Sequence, residues 1–368
     1  MPPDESSSIR YAVALDACVA TTRRNLGHLD GFPYWTAQGR WLTEQRGRWT
    51  GGHWLGIIWM AYLRTRDPAL LEAAYAWSQR LEPRKTDITT HDMGFLFYPS
   101  FVRGYRITGD PYFRGVALMA AESLTTRFNP VGGYLQAWDD TVNPANRGRT
   151  IVDTAMNLPF LLWAAEETGD GRYREMALRV AETTAAHHVR ADGSTFHVVD
   201  FDPESGLAVR YATHQGLHDT SLWARGQAWA IYGFSLVARM SGDPAFRAVA
   251  ERAANGFLAY LEPGRAPAWD FADDGPAVPR DASAGAIAAD GLIDLGTPER
   301  QAQGRALLDV LLETCTPPPG SDEEGLLLHQ TGDLPHGNAI DVSLIYGDHY
   351  FMEALFRLAD PEVSTVLI

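Results

Sequence analysis

The sequence predicts an all-α fold, an (α/α)6 toroid built as a single domain over residues 1–368, on three observations. A short helix–turn–helix phrase recurs six times, the helices before it read apolar on every side, and those after it carry a charged face. Units of this kind bury their apolar faces only against neighbours, so six of them stack as an open superhelix or close as a ring.

The phrase stands as Thr65-Arg66-Asp67-Pro68, Thr108-Gly109-Asp110-Pro111, Thr168-Gly169-Asp170-Gly171 and Ser241-Gly242-Asp243-Pro244. Looser copies are Leu295-Gly296-Thr297-Pro298 and Leu358-Ala359-Asp360-Pro361. Gly ends one helix in the left-handed region, Asp or Thr caps the next, and Pro fits its first turn. Six copies in 368 residues leave about 61 per unit, room for a helix pair and one long loop. Residues 195–201 (TFHVVDF) are the clearest strand. The sixth phrase lies almost at the C-terminus, so its outer helix is either missing or supplied by residues 9–26. Borrowing that helix closes a ring.

The segments before the phrases begin near Gly52, Asp92, Asp153, Leu222, Ala282 and Ser343, with runs such as GIIWMAYL and MNLPFLLWAA. Helices apolar all round are buried, which makes these the inner ring. All six run in one direction, so their N-terminal ends open onto one mouth. Those ends carry Trp49 and His53, His91 and Asp92, Asp153, Trp223 with Arg225, Asp281 with Ser283, and Ser343.

Composition narrows the function classes. Apolar residues are 45% and charged residues 21%, ordinary for a globular chain. A net charge of -15 with no Lys/Arg cluster disfavours nucleic acid as a partner. No apolar run approaches a bilayer span, and MPPDESSSIR lacks a secretory pattern. Cys18 and Cys315 make neither a disulfide framework nor a zinc signature. A cytoplasmic protein, monomer or weak dimer, with no membrane partner, is the expectation. An anionic substrate would need cations placed locally.

Asp92 and Asp153 head two inner segments, in HDMGF and IVDTAMNLP. Each is either a helix cap or half of an acid/base pair facing a sugar. A helix N-terminus lowers a carboxyl pKa, whereas an apolar wall and a second carboxylate raise it. One of the pair is expected to be held protonated by the other. His91, His197 and His214 flank these segments, either as structural residues or as ligands of hydroxyl or carboxylate groups. Arg225 lies one turn before Trp229 and needs an anionic partner, structural or substrate. HExxH is absent, and His187-His188 falls late in an outer helix, so no metal is expected. No Walker loop, Rossmann fingerprint or GxSxG elbow appears, and no cofactor is expected.

Taken in order, RWTGGHWLGIIWMAY, HDMGFLFY, YLQAWDD, GRTIVDTAMNLPFLLWAAEETGD, STFHVVDFDPESG, THQGLHDTSLWARGQAWAIYGF, RDASAGAIAADGL and YGDHYFMEAL resemble glycoside hydrolase family 88, the unsaturated glucuronyl hydrolases. The resemblance implies an (α/α)6 toroid that removes a Δ4,5-unsaturated uronic acid from the non-reducing end of lyase-made oligosaccharides. It also implies that the enol-ether double bond is hydrated, with Asp153 as general acid/base and Asp92 positioning the ring and tuning Asp153. By the same likeness His197 and Trp138 bind the uronate, with Gln215, Arg225 and Trp229 as partners and Trp49 and His91 at the rim. Arg225 would anchor the carboxylate.

His53 stands where that family has Phe, Leu217-His218-Asp219 differs from its small polar run, and the rim 337–343, which includes Ser343, lacks the lysine of streptococcal members. These positions would meet the leaving sugar, so chondroitin, hyaluronan, heparin and gellan fragments all stay open as sources. The alternatives are unsaturated rhamnogalacturonyl hydrolysis, a sugar epimerase on the same toroid, which needs histidine acid/base pairs, and a silent sugar-binding protein.

Overall fold

The computed structural model describes residues 5–367, and it is a closed ring of helical hairpins. α1 (Glu5–Leu26) is followed by a small hairpin, β1 (Phe32–Ala37) and β2 (Arg40–Glu44), and then by the first inner helix, α2 (Gly51–Thr65). The outer helix α3 (Pro68–Leu81) comes next. The second inner helix is interrupted: α4 (Met93–Phe97) and α5 (Arg103–Thr108) are joined by a π-turn over Tyr98–Val102, where Pro99 supplies no N–H. Outer α6 (Pro111–Thr125) and the strands β3 (Phe128–Asn129) and β4 (Tyr134–Leu135) lead to β5 (Arg149–Ile151), a 3-10 segment Val152–Asn157 and inner α7 (Leu158–Thr168). Then follow outer α8 (Gly171–His187), strands β6 (Val198–Phe201) and β7 (Ala208–Ala212), inner α9 (Ala224–Ser241) and outer α10 (Pro244–Leu258). Inner α11 (Ala282–Leu295), outer α12 (Pro298–Thr314), inner α13 (Ile345–Ala359) and a last turn, α14 (Pro361–Ser364), finish the chain.

The turn phrases form as their chemistry requires. Gly109, Gly169, Gly242 and Gly296 sit at positive φ past their helices, and Arg66 takes that place in the first copy at φ +57°. Asp67, Asp110, Asp170 and Asp243 each accept a hydrogen bond from the N–H of the second residue of the next helix, and Thr297 caps α12. α13 packs against α2 and also against α1, which closes the ring as the sequence expects and makes α1 the outer helix of the last hairpin. Among the described residues no helix is long and apolar enough to cross a membrane.

Part of the charge inside the ring is gathered into a matched set. Below the mouth, Arg357 lies 2.7 Å from Asp290 and 3.0 Å from Asp294, and Glu353 joins Arg103, Arg357 and the Tyr232 hydroxyl. Such a buried set is costly to break at one member because the remaining charge is left uncompensated.

The fold meets the site where α9 lies on the 3-10 segment. A Cβ on Gly233 would stand 2.7 Å from the Ala155 Cβ and 2.8 Å from its carbonyl oxygen. Gly233→Ala is therefore expected to lose about 1–3 kcal/mol by overpacking, read by chemical denaturation. Gly115→Ala, on exposed α6 with no atom near its Cβ, is expected to gain about 0.5–1 kcal/mol. Equal effects at the two glycines would mean that the α9 contact is not tight.

Candidate active site

A cleft of about 500 Å³ opens at the ring's mouth, where the N-terminal ends of the inner helices converge. Asp92, Asp153, Trp49, Trp138, His214 and Gln215 all line it. β5 pairs antiparallel with β6, Ile151 opposite Val198, and the Val152 N–H donates to the His197 carbonyl at 2.9 Å. That pairing sets Asp153 beside His197, with His197 Nε2 3.8 Å from Asp153 Oδ2.

Neither carboxylate is spent on capping. Asp92 occupies the cap position of α4 but makes no cap bond, and its side chain accepts from the Thr90 hydroxyl instead. Asp153 lies inside the 3-10 segment, and its Oδ2 has no hydrogen-bond partner. Burial pushes Asp153 up to about 6, against the pull of His91 and Arg225, with a smaller push from Asp92. The expectation that the second carboxylate holds the first protonated is thus corrected: desolvation is the main cause, and Asp92 assists. Asp92 is pushed up by burial too, but His91, the Thr90 hydroxyl and Arg84 outweigh this and hold it below the usual carboxylate range. Two carboxyls in one cleft are driven apart in pKa, one toward the acid and one toward the anion.

His197 is a fixed neutral donor. Its Nδ1 accepts the backbone N–H groups of His214 and Gln215, each at 3.2 Å, so the proton resides on Nε2, facing Asp153. Burial, reinforced by His214 and Arg225, drives its pKa well below the ordinary value. The ring lies on Trp223, centroids 4.3 Å apart. His91 is fully buried behind the wall, its Nδ1 3.2 Å from the Thr154 hydroxyl and its Nε2 3.3 Å from Asp92 Oδ1. It ties the Asp92 loop to the residue after Asp153.

Aromatic walls face the carboxyls. Trp49 donates Nε1–H to the Tyr34 hydroxyl at 3.2 Å and packs on Tyr346 at 4.9 Å. Trp138 meets His214 edge-on at 5.0 Å. Gln215 lines the cleft while its amide nitrogen donates to the Gly332 carbonyl at 3.0 Å.

Besides His91 and His197, which also lie behind the lining residues, three further expected contacts do not reach the cleft wall. Arg225 is fully buried, 2.7 Å from Asp281 and 2.6 Å from the Thr331 carbonyl, with the Gly332 carbonyl as a further acceptor. Its anionic partner is structural, and it acts on Asp153 as a positive field. Trp229 turns into the ring beneath the floor, against Phe95 at 5.0 Å and Tyr350 at 5.4 Å. Ser343 is buried: its N–H donates to the Thr36 hydroxyl, its carbonyl accepts from the Thr36 N–H, and its side chain packs on Gly325.

Arg48 was not legible as a site residue. It lines the cleft at φ +40°, its guanidinium 4.9 Å from the Tyr34 ring centroid, with no ion-pair partner among the described residues. Buried Arg84 donates to the carbonyls of Arg46 and Arg48 and holds this strained turn. The signal was its place next to Trp49; the strain, set by a residue 36 positions away, was invisible.

Comparison with known proteins gives one consistent result. The family model described as Glycosyl Hydrolase Family 88 matches residues 31–249. The unsaturated glucuronyl hydrolase of Bacillus sp. strain GL1 is 36% identical over 94% of this chain and 96% of its own. The unsaturated chondroitin disaccharide hydrolase of Streptococcus pyogenes serotype M1 is 33% identical, over 94% of this chain and 90% of its own. A crystal structure of an unsaturated glucuronyl hydrolase specific for heparin superposes with a TM-score of 0.90 at 30% identity, covering 96% of this chain and 97% of that one.

The carboxyl electrostatics can be tested without a substrate. In a carboxyl-carbon NMR titration Asp153 is expected to ionise near pH 6 and Asp92 below the usual range. Asp92→Asn removes a negative charge that opposes ionisation, so it should move the Asp153 midpoint to lower pH. An upward move, or an ordinary midpoint for Asp153 in the intact protein, contradicts the assignment.

Proposed function

From the premise that the chain belongs to glycoside hydrolase family 88 and is a glycosidase, we propose that it releases a Δ4,5-unsaturated uronic acid from the non-reducing end of lyase-made oligosaccharides by hydrating the double bond, with Asp153 as the acid. The observation that carries this reading is a cleft-facing carboxyl raised to about 6 beside a second carboxyl held ionised.

The protonated Asp153 delivers its proton to C4 of the unsaturated ring, and charge develops toward C5 and the ring oxygen. Water adds at C5, and the Asp153 carboxylate takes the proton that water gives up. The resulting hemiketal opens and expels the leaving sugar. One water is consumed and the enzyme's proton is restored. Ionised Asp92 lies in the same cleft, where it orients hydroxyls and stabilises the positive charge that develops on the ring. His197 Nε2–H, fixed by its two backbone donors, offers a hydrogen bond to the sugar beside Asp153. Trp49 and Trp138 offer apolar faces to the ring.

The uronate carboxylate needs a cation in a chain of net charge -15. Arg48 lines the cleft without a carboxylate partner among the described residues, whereas Arg225 is already engaged by Asp281. Arg48 therefore supplies the anchor in this reading. The epimerase alternative lacks support, because His197 is held neutral by burial. Two free, buried cysteines support the cytoplasm as compartment, and a monomer or weak dimer suffices because one chain carries the whole cleft.

Turnover is followed by the loss of absorbance of the conjugated double bond on an unsaturated chondroitin disaccharide. Asp153→Asn is expected to lose at least about two decades in kcat/KM; a change below about threefold removes Asp153 from the chemistry. For the intact enzyme, kcat/KM should fall about tenfold per unit above pH 6, since the acid must start protonated. Arg48→Gln should raise KM about threefold to tenfold with kcat nearly unchanged, the scale of one exposed charge-assisted hydrogen bond. An unchanged KM assigns the carboxylate to another donor.

A further inference from the structure

One wall of the cleft is a finger of chain between residues 329 and 342. Gln330 bridges Val342 and Asp333 bridges Asn338, and Ala339 and Asp341 take positive φ to make the turns. The finger's base is clamped by Arg225, which donates to the Thr331 and Gly332 carbonyls, and by Gln215, which donates to Gly332. Its tip carries Asp333 and a short 3-10 turn, Leu334–His336. His336 Nδ1 lies 2.8 Å from Asp333 Oδ1, and the His336 ring lies 4.4 Å from the ring of His214 across the gap. One ligand-capable atom from each of His214, Asp333 and His336 falls within 4.8 Å of the other two. Among the described residues this is the group of that kind.

We propose that His214, Asp333 and His336 bind a zinc ion at the mouth of the cleft, joining the finger to the His214 loop and narrowing the way in. Two imidazoles and one carboxylate suit a borderline transition ion and leave a fourth position for water. Bonds of about 2.0–2.2 Å require the three side chains to draw together modestly, which rotation at the half-exposed tip allows. Magnesium and calcium prefer oxygen ligands and fit this set poorly. The net charge of -15 raises the local concentration of any cation near Asp333. His214 and Asp333 line the cleft, so an ion held by both stands in the path of the leaving sugar. The binding is independent of the activity proposed above, whereas the resulting inhibition rests on it.

The test uses the full-length, metal-stripped chain. Zinc is titrated by calorimetry, cobalt by visible absorbance, and magnesium serves as the control. One zinc per chain is expected, with a four-coordinate cobalt spectrum. His336→Ala and Asp333→Asn should each weaken binding at least about tenfold, with circular dichroism unchanged. Binding that is equal in wild type and both variants, or magnesium binding as tight as zinc, overturns the site. Turnover of the unsaturated disaccharide is then followed with and without zinc. Wild type should be inhibited and restored by chelator, and His336→Ala should be much less sensitive. Equal inhibition of the two overturns the gate. A chain with no turnover on any unsaturated disaccharide refutes the activity and leaves the calorimetry to decide the zinc site.

Discussion

The desolvation of one carboxyl, Asp153, is the constraint on which the site depends. An acid that is still protonated near neutrality needs an environment that charges poorly, and the ring of apolar helices supplies it. The 3-10 segment that bears Asp153 is pressed between β5, which pairs with β6, and α9, whose Gly233 allows backbone contact with Ala155. His91 and Arg225, the latter paired with Asp281, pull the Asp153 pKa down, and burial outweighs both. His197 is kept neutral and aimed, and Asp92 adds repulsion from across the cleft.

The deeper ring obeys the same logic with the opposite outcome. Arg103, Arg357, Glu353, Asp290 and Asp294 are gathered into one buried network in which each has opposite partners within reach. Arg357 projects from α13 toward two carboxylates on α11, and Arg103 on α5 meets Glu353 on α13. Charge pairing there ties inner helices to each other across the ring, whereas at the mouth the unpaired Asp153 is left available to a ligand.

Much of the fold was legible because it rests on local chemistry. The turn phrases are short, their caps lie within three residues, and apolar inner helices declare themselves by composition. The supply of the sixth outer helix by the first followed from counting. Within the site, Asp153, Asp92 and Trp49 were visible as polar or aromatic residues at inner-helix starts, whereas Trp138 and Gln215 came only through the family resemblance. What local pattern could not show was direction and long-range pairing. Arg225 and Asp281 are 56 residues apart, so its engagement was hidden. Trp229 lies in the second turn of α9 and Ser343 just before α13, yet their side chains point away from the cleft. The finger and Arg48 depend on positive-φ backbone held by distant donors, which no periodicity encodes.

The seam between α1 and α13 carries a kinetic implication. On a ribosome α1 emerges long before its packing partners on α13, and the apolar flank that it shares with them has no native cover until α13 has itself been made. Closure of the circle therefore waits on α13. A permuted gene that opened the chain at another hairpin turn would give each early helix its neighbour sooner and move the vulnerable gap elsewhere around the ring.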